Sequence, residues 1–362
     1  MAAEASLKAW LALSLTRGLG GESARRLLKE FGSPDAVFAA SISSLKSAVK
    51  ADIAAEISKG IADDTIAPAL VWLEDNNNHI VTLADSDYPQ ALLNIPDPPL
   101  LLYVKGRLDL LNRPALAVVG SRSATPQGIN NAEAFAKSLS DAGLCVISGL
   151  AHGIDAAAHR GALRGQGKDQ GSSIAVVGTG PDKVYPAANR DLAHALAQQG
   201  ALVSEFPLAT PPLAANFPRR NRLISGMSLG CLVVEASLQS GSLITARLAL
   251  EQGRDVFAIP GSIHAPQSKG CHALLKQGAK LVETAQDILE ELGGMFISPA
   301  LTTNPAGPNT ALLEHLGFDP VDADTLSMRC GLTIAELSAM LLTLELDGRI
   351  CVLPGGLYQR IH

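Results

Sequence analysis

Hydrophobic positions along the chain divide it into segments of different periodicity. In residues 6–70 apolar side chains recur at spacings of three and four, broken by turns such as Gly18-Leu19-Gly20-Gly21. This pattern predicts a small helical module over residues 1–75. Residues 79–110 are rich in proline and contain one strand-like run, LLLYVKG. We interpret them as a connecting segment at the start of a core that spans residues 76–293.

From residue 115 to about residue 292, short β-branched runs alternate with helical stretches. The runs are ALAVVG (115–120), LCVIS (144–148), IAVVG (174–178), ALVSEF (201–206), CLVVEA (231–236), DVFAIPG (255–261) and AKLVE (279–283). Helical stretches such as NAEAFAKSLSDAG and SLITARLALEQG close on a glycine, as helix ends often do. Near-continuous apolar strands that alternate with helices predict an α/β fold, an extended Rossmann-like parallel sheet covered on both faces.

The last segment follows a stretch with the composition of a linker. Residues 294–309 are rich in Gly, Pro and Thr, which predicts a linker. Residues 310–362 show two short helical patterns, a third helical run, and a strand-turn-strand pattern around Pro354-Gly355-Gly356. The apolar positions of the third run follow a helical spacing: Ile334, Leu337, Leu341 and Leu344. Three helices and a hairpin predict a C-terminal winged-helix domain.

The charge balance limits how this chain could bind nucleic acid. Its 362 residues are 47% hydrophobic and 18% charged, which predicts a folded protein of two or three domains. Lys and Arg number 29 against 35 Asp and Glu, a net charge of −6. That balance excludes a protein coated in positive charge, so any phosphate binding must be local.

Cysteine usage and hydropathy predict a cytoplasmic location. The five cysteines are far apart and form no CxxC pair, which indicates neither a disulfide framework nor a zinc ribbon. No apolar run approaches 18 residues, and the start MAAEASLKAW lacks the order of a signal peptide. We therefore expect a soluble protein of the cytoplasm that makes no contact with a membrane.

Candidate chemistry concentrates where the predicted strands end. In an open parallel sheet, ligands bind outside the carboxyl ends of the strands. Those ends carry Gly and Ser turns: Gly120-Ser121-Arg122, the segment from Ser148 and Gly149 to Gly153, Gly178 with Gly180, and Ser240-Gly241-Ser242. Such turns expose backbone N–H groups and helix N-termini, so together they predict an extended anionic ligand. For any single turn the alternative is that Gly and Ser only allow a tight connection.

The densest local charge is the run Phe217-Pro218-Arg219-Arg220-Asn221-Arg222. It follows the loop PLATPPLAAN and precedes the helical pattern RLISGMS. Guanidinium groups bind phosphates and stack on bases, which favours a nucleic acid or nucleotide ligand. The alternatives are that the run is a solvated cluster of charges, or that an arginine pairs with Glu205 or Glu235 at neighbouring strand ends.

The sequence gives little support to other kinds of catalytic or binding site. The chain has no G-x-x-x-x-G-K-[ST] and no G-x-G-x-x-G opening its first core helix, which argues against a P-loop ATPase and NAD binding. His152, Asp155 and His159 have the spacing of metal ligands, but no cysteine or further carboxylate accompanies them. We predict that Asp155 caps a helix and that His159 packs in the core. No catalytic residue, metal or cofactor is predicted.

The flanking segments offer weaker signals. Residues 18–28 have the turn-then-helix pattern of a helix-hairpin-helix element, which holds a phosphate in some proteins and is purely structural in others; we favour the structural role. The last helical run carries Glu336 and Glu345, and Asp347 follows it before the first basic residue, Arg349. Such an acidic helix should repel a DNA groove, so we expect it to contact protein.

The motifs of the core, taken in order, resemble the DNA-processing protein A (DprA/Smf) family. They span about 175 residues: Gly120-Ser121-Arg122, Ser148-Gly149-x-Ala151-x-Gly153-Ile154-Asp155, Gly178-x-Gly180 with Tyr185-Pro186, Ser204-Glu205-x-Pro207, Phe217-Pro218-x-Arg220-Asn221-Arg222, Val234-Glu235-Ala236, Ser240-Gly241-Ser242-Leu243-x-Thr245-Ala246 and Pro260-Gly261. The resemblance implies a non-enzymatic recombination mediator that binds single-stranded DNA. It would protect incoming DNA in natural transformation and load the RecA recombinase, as a homodimer through its core.

The helical module at 1–75, as a SAM or helix-hairpin-helix-like unit, and the winged-helix tail also resemble accessory domains of that family. The resemblance further assigns roles to residues of the core. Arg122 and the run Arg220-Asn221-Arg222 would contact phosphates, and the turns at 149–153 and 240–242 would shape the groove. Family members often carry a basic residue where this chain has Ala187-Ala188 and Leu213-Ala214-Ala215, and Arg219 would partly compensate. If Arg122, Arg219, Arg220 and Arg222 each neutralise one phosphate, the logarithm of affinity should fall with the logarithm of salt concentration with a slope of about −2.8.

Two alternatives remain on a related Rossmann-like core. One is an enzyme that cleaves a nucleoside monophosphate, but its Pro-Gly-Gly-x-Gly-Thr-x-x-Glu signature is missing, since Pro354-Gly355-Gly356 is followed by Leu-Tyr. The other is a scaffold that binds only a small regulatory nucleotide.

Overall fold

The computed structural model describes residues 2–165, 173–293 and, within 312–361, all except 314, 318, 319, 347, 354 and 355. The chain divides into two units, Met1–Ile297 and Ser298–His362. The predicted linker at 294–309 and the first two residues of the predicted turn at 354–356 lie outside the described residues. The three boundaries between the four segments drawn from the sequence stay predictions.

In the first unit a helical start leads into alternating strands and helices. The helices are α1 (Ala2–Leu15), α2 (Gly21–Phe31), α3 (Pro34–Ala39), α4 (Ile42–Ala48), α5 (Ala51–Lys59), α6 (Asp63–Trp72), α7 (Pro126–Asp141), α8 (Ile154–Leu163), α9 (Arg190–Gln199), α10 (Asn216–Gly226), α11 (Ser242–Glu251), α12 (Lys269–Lys276) and α13 (Ala285–Glu291). The strands are β1 (Asn78–Thr82), β2 (Leu101–Gly106), β3 (Ala115–Val119), β4 (Cys145–Ser148), β5 (Ser173–Val176), β6 (Ala201–Ser204), β7 (Gly230–Val233), β8 (Asp255–Ala258) and β9 (Lys280–Leu281).

These strands form one sheet with the order β1-β2-β6-β5-β4-β3-β7-β8-β9. Strands β3 to β9 are parallel and coincide with the seven predicted runs, which confirms the predicted Rossmann-like core. The strand-like run LLLYVKG is confirmed as β2, but the interpretation of residues 79–110 as a connecting segment missed strand β1 and the pairing of both strands with the core sheet. Strand β2 pairs antiparallel with β6, and β1 pairs antiparallel with β2. The prolines lie between these two strands, at 89–99, and leave the backbone of both strands free to pair.

Both faces of the sheet are buried under helices. In β3, Leu116 and Val118 pack in the layer of α7 and α8, whereas Ala117 and Val119 pack in the layer of α10 and α11. Because alternate side chains of a strand point to opposite faces, a strand covered on both sides reads as a continuous apolar run. This explains why the sequence pattern identified these strands correctly.

The order of the strands creates a crevice at one point of the sheet. From β3 the chain moves outward through β4, β5 and β6, and α10 then returns it to β7 on the other side of β3. The loops after β3 and β7 therefore leave the sheet in opposite directions. In open α/β sheets the crevice at such a switch point is where ligands bind.

The N-terminal helices have a core of their own that continues onto the sheet. Leu11, Leu27 and Leu45 are fully buried in this core, which also includes Tyr103 of β2. The Trp72 and Tyr103 rings meet edge to face with centroids 5.9 Å apart. Of the helices that the structure describes, none is both long and apolar enough to cross a membrane.

The second unit combines helices with a small antiparallel sheet, as predicted for a winged helix. Its described elements are β10 (Val321–Asp322), the helices Ala323–Cys330 and Ile334–Leu346, β11 (Ile350–Leu353) and β12 (Leu357–Arg360), with the sheet order β10-β12-β11. Leu337, Leu341 and Leu344 are buried as their spacing predicts. Ile334 is not: its side chain is 45% exposed at the start of the helix.

Candidate nucleic-acid interface

A cleft of about 660 Å³ opens at the carboxyl ends of the strands, at the switch point beside β3 and β7. Many of the residues predicted from the Gly and Ser turns and the arginine run line it together: Gly120, Ser121, Arg122, Arg220, Asn221, Ser240, Gly241 and Ser242. The structure thus brings these predicted residues together in one cleft, where further residues of α10, α11 and several loops share the lining.

The turn after β3 is held between two neighbouring elements. The Ser121 N–H donates to the Glu235 carbonyl at 2.8 Å, and the Ser121 carbonyl accepts from the Ile154 N–H at 3.1 Å. Gly153 has a φ of +72°, and a side chain there would collide with the Ser121 carbonyl. The start of α8 therefore lies directly against this turn and fixes the backbone from which Arg122 extends.

Arg122 lies exposed at the mouth of the cleft. Its Cζ is 5.7 Å from the centre of the Phe217 ring, and that ring is 5.7 Å from the ring of Tyr185. Tyr185 is 46% exposed. Within the described ranges no carboxylate forms an ion pair with Arg122. Among the described residues the mouth therefore offers one guanidinium without an ion-pair partner, and two aromatic rings.

Arg220 forms the floor of the cleft and is buried, with 4% of its surface exposed. Its Nη1 donates to the Gly149 carbonyl at 2.7 Å and to the Val176 carbonyl, the ends of two strands. Its Nε is buried with no hydrogen-bond partner in the described chain. A Cβ on Gly149 would lie 2.6 Å from the guanidinium nitrogens, so only glycine leaves room for this contact.

Asp155 is the counter-charge of Arg220. Burial raises the pKa of the Asp155 carboxyl, an effect that the Arg220 charge opposes, and burial lowers the pKa of Arg220 to about 10. Asp155 lies in the first turn of α8 and accepts from the Ala151 N–H at 3.3 Å. The predicted role as a helix cap was wrong, because Gly153 occupies the cap position and Asp155 faces the buried arginine.

His159 lies in the same helix and packs in the core, as predicted. It is fully buried, with Nδ1 2.8 Å from the Ser173 hydroxyl. Burial lowers the pKa of His159 to about 3, and the Arg220 charge adds to the effect, so the imidazole is neutral at physiological pH. In the part of the chain that the structure describes, no group of three or more His, Cys, Asp or Glu is arranged to hold a metal ion.

Ser240, Gly241 and Ser242 lead into α11 and bring its N-terminus to the cleft. The Ser240 and Ser242 hydroxyls are 2.7 Å apart. Glu235, at the end of the preceding strand, pairs with no described arginine; it accepts from the Thr125 N–H at 2.9 Å and the Thr125 hydroxyl at 2.5 Å. The Glu235 carboxylate is hydrogen-bonded at the start of α7. Of the two carboxylates considered as partners for an arginine, only Glu205 remains.

The arginine run divides between two faces of α10. The helix begins at Asn216, six residues before the predicted helical pattern. At 3.6 residues per turn, positions 219 and 222 share one face and position 220 lies on another. Glu205 Oε2 is 3.1 Å from Arg219 Nη2 and also contacts Arg222 Nη2. Neither arginine lines the cleft, so the predicted four-arginine site is not assembled.

Ser148 and the remaining predicted glycines do not line the cleft; they lie in the strand ends and loops around it. The Ser148 hydroxyl donates to the Val118 carbonyl at 2.6 Å. The Asn216 amide donates to the Gly178 carbonyl at 3.0 Å, and the Gly180 N–H donates to the Thr210 carbonyl at 3.1 Å. With Gly149 and Gly153, these residues shape the backbone that carries the lining.

Sequence reasoning missed some lining residues. Gln267 lies in the loop after β8, donates from Nε2 to the Ser123 carbonyl at 3.2 Å, and lines the cleft. Ile244 and Thr245 line it from α11. Applying the rule of carboxyl strand ends to β8 would have included Gln267. Thr245 belongs to the motif Ser240-Gly241-Ser242-Leu243-x-Thr245-Ala246 but was not predicted to line the site, whereas Ile244 carries no signal beyond helical spacing.

Comparison with known proteins finds two family models along the chain. The model described as DNA recombination-mediator protein A matches residues 79–293. The model described as the DprA winged helix domain matches residues 298–356.

Individual relatives and structures agree with these matches. The protein Smf of Escherichia coli is 46% identical over 309 residues, which cover 82% of this chain and 81% of the relative. The X-ray structure of DNA processing protein A from Streptococcus pneumoniae has a TM-score of 0.69 and 38% identity, covering 78% of this chain and 97% of that one. DNA processing protein A from Helicobacter pylori, a protein with a single-stranded DNA binding mode, has a TM-score of 0.54 and 29% identity, covering 60% of this chain and 98% of that one.

Proposed function

The chain belongs to the DNA recombination-mediator protein A (DprA/Smf) family, and on that premise we propose that its cleft binds single-stranded DNA. The observation that carries the proposal is Arg122, an exposed guanidinium at the mouth of the cleft with no described carboxylate paired to it. A phosphate is the ligand that such a group binds most readily.

The rings beside Arg122 suggest how a base would be held. Tyr185 and Phe217 lie 5.7 Å apart at the mouth, and Tyr185 is partly exposed. Aromatic side chains stack on unpaired bases, each stack contributing about 1–3 kcal/mol, whereas the bases of a duplex already stack on one another. The net charge of −6 adds a general repulsion toward nucleic acid. Together these features favour one strand in a narrow cleft over a duplex.

The set of phosphate-binding arginines in this proposal is smaller than the sequence suggested. Arg122 provides the direct contact, and Arg220 contributes from the floor with its charge offset by Asp155. Arg219 and Arg222 are left out because both pair with Glu205. The N-terminus of α11 and the hydroxyls of Ser240 and Ser242 complete the phosphate site.

We further propose the cellular role that family membership suggests. The protein would protect incoming single strands during natural transformation, load the RecA recombinase onto them, and act as a homodimer through its core. Exposed apolar side chains near the rim support a protein contact there: Leu213, Leu238 and Ile263 are all more than half exposed. The acidic helix Ile334–Leu346 of the second unit is better suited to a protein partner than to a DNA groove.

The test is a fluorescence anisotropy titration of labelled oligo-dT and of a duplex of equal length, with the mass of the protein in solution measured alongside. We expect tighter binding of the single strand. Arg122→Ala should lower the affinity roughly tenfold, because one charge-assisted contact contributes about 1.5 kcal/mol. Equal binding of both DNA forms, or an unchanged affinity of Arg122→Ala, would contradict the proposal. Release of free base from nucleoside monophosphates would support the enzyme alternative instead.

A further inference from the structure

A line of alternating charges connects the N-terminal helices to α10, on the side away from the cleft. Arg25 Nη1 of α2 lies 2.7 Å from Asp97 Oδ1. Asp97 Oδ2 lies 3.6 Å from Arg222 Nε of α10. Arg222 in turn pairs with Glu205, which also binds Arg219 at 3.1 Å. We call these five residues the latch: Arg25, Asp97, Glu205, Arg219 and Arg222.

The centre of the latch is shielded from water. The side chain of Glu205 is 2% exposed and that of Arg222 is 12% exposed, whereas Arg219 at the end of the line is 59% exposed. Burial raises the pKa of the Glu205 carboxyl, and the charges of Arg222 and Arg219 oppose that shift. Buried partners of this kind are costly to separate, unlike exposed ion pairs.

Backbone contacts clamp the loop that carries Asp97. Arg25 donates from Nη1 to the Pro98 carbonyl at 3.0 Å and from Nη2 to the Pro96 carbonyl at 3.2 Å, while Arg222 donates to the Asp97 carbonyl. A Cβ on Gly21 would lie 2.7 Å from Asp97 Oδ1, so the N-terminus of α2 lies directly against this carboxylate. That end of a helix favours negative charge. The loop is therefore fixed to α2 on one side and to α10 on the other.

The same helix presents the cleft residues from its other face. Phe217, Arg220 and Asn221 of α10 line the cleft, whereas Arg219 and Arg222 belong to the latch. A helix turns as one body, so a change in how its latch face is held also moves the side chains on its cleft face. The described contacts thus connect Arg25, in the second helix of the chain, to the floor of the cleft.

We propose that Arg25 and Asp97 are positioning residues: they hold α10 in the orientation that presents Phe217 and Arg220 to DNA, so the N-terminal helices set the affinity of the cleft. This proposal rests on the proposed binding of single-stranded DNA. It assigns the N-terminal helices a role in DNA binding without a DNA contact of their own.

The test compares Arg25→Ala with Arg26→Ala in the full chain. Arg26 is a matched control, because it lies on the same helix and carries the same charge but pairs with the exposed Glu22 at 3.0 Å. Oligo-dT affinity is measured by anisotropy over a series of salt concentrations. We expect Arg25→Ala to weaken binding on the order of fivefold, with an unchanged salt slope because no phosphate contact is lost. Arg26→Ala should bind like the wild type.

Two further measurements keep the proposal falsifiable if Arg25→Ala folds poorly. Arg25→Lys keeps the charge but loses the planar fork, so it should show part of the same loss. Hydrogen exchange in α10 should be faster in Arg25→Ala than in Arg26→Ala, with the strands β3 and β4 unaffected. Equal affinity and equal exchange in the two alanine variants would overturn the proposal, even where Arg122→Ala confirms the cleft. If Arg122→Ala binds like the wild type, the proposed function fails instead.

Discussion

The two faces of α10 carry arginines that lie close together along the chain but differ in their charge partners. On the cleft face Arg220 is buried beside one carboxylate, Asp155, and donates to two strand-end carbonyls. On the opposite face Arg219 and Arg222 share Glu205. Arg122, on a loop across the cleft, has no described carboxylate partner. A run of arginines in a sequence is therefore not a count of cleft-lining side chains, since their positions around the helix determine which of them face the cleft.

The largest expected effect is a loss of stability on removing the charge of Glu205, which pairs with Arg219 and Arg222 on the latch face of α10. In Glu205→Gln, the buried Arg222 loses the nearer of its two carboxylate partners and keeps only the 3.6 Å contact with Asp97, so we expect the free energy of unfolding to fall by about 3 kcal/mol. The measurement is urea unfolding followed by circular dichroism. Glu22→Gln is the control, because Glu22 forms an exposed ion pair with Arg26 and its loss should cost less than about 1 kcal/mol. Equal small losses in both variants would show that the latch face of α10 does not depend on a buried counter-charge.

A smaller, pH-dependent effect on the free energy of unfolding should come from His159, which is buried in α8. The pKa of His159 is about 3 in the folded protein against an ordinary value of 6.5, so between these pH values the unfolded chain binds a proton that the folded chain does not. The free energy of unfolding should therefore fall as the pH drops below about 6.5, by up to about 1.4 kcal/mol per pH unit from this residue alone.

Two variants isolate that contribution. His159→Gln should remove it and flatten the curve between pH 6.5 and 4.5 relative to the wild type. Ser173→Ala loses the hydrogen bond to the ring but keeps the imidazole, so it should lower stability while retaining the steeper pH dependence. A His159→Gln curve parallel to that of the wild type would contradict the account of a buried neutral imidazole.

The smallest expected effect is a gain in affinity for single-stranded DNA. Ala214 lines the cleft and is exposed. In Ala214→Lys we expect oligo-dT affinity to rise roughly threefold and the salt slope to become steeper by about 0.7, because one more phosphate is neutralised. Leu250→Lys adds the same charge at the far end of α11 and should change neither. If both variants gained equally, total charge rather than the cleft would govern binding.

The sequence predicted the fold better than the site, for reasons visible in particular residues. The seven parallel strands are buried on both faces, so their apolar runs stand out. Strand β1, NHIVT, is partly exposed, and its antiparallel pairing with β2 depends on distant residues that no local pattern reveals.

Predicting which arginines line the cleft would have required knowing where α10 begins. Pro218 lies in its first turn, a place where proline is tolerated, and this was the available signal that the arginines are already helical. With that start, the spacing of three between Arg219 and Arg222 separates them from Arg220. The pairing with Glu205 was weighed as an alternative, but only the structure brings β6, α10 and the loop at Asp97 together.

The most direct test of the central claim is the salt dependence of oligo-dT binding by the wild-type protein. If only Arg122, alone or with Arg220, neutralises phosphates, the slope of log affinity against log salt should lie between about −0.7 and −1.4. Affinity would then fall roughly threefold to sevenfold between 50 and 200 mM salt. A slope near −2.8, with a loss of about 50-fold over the same range, would show that all four arginines contact DNA and would contradict the division of α10 into two faces.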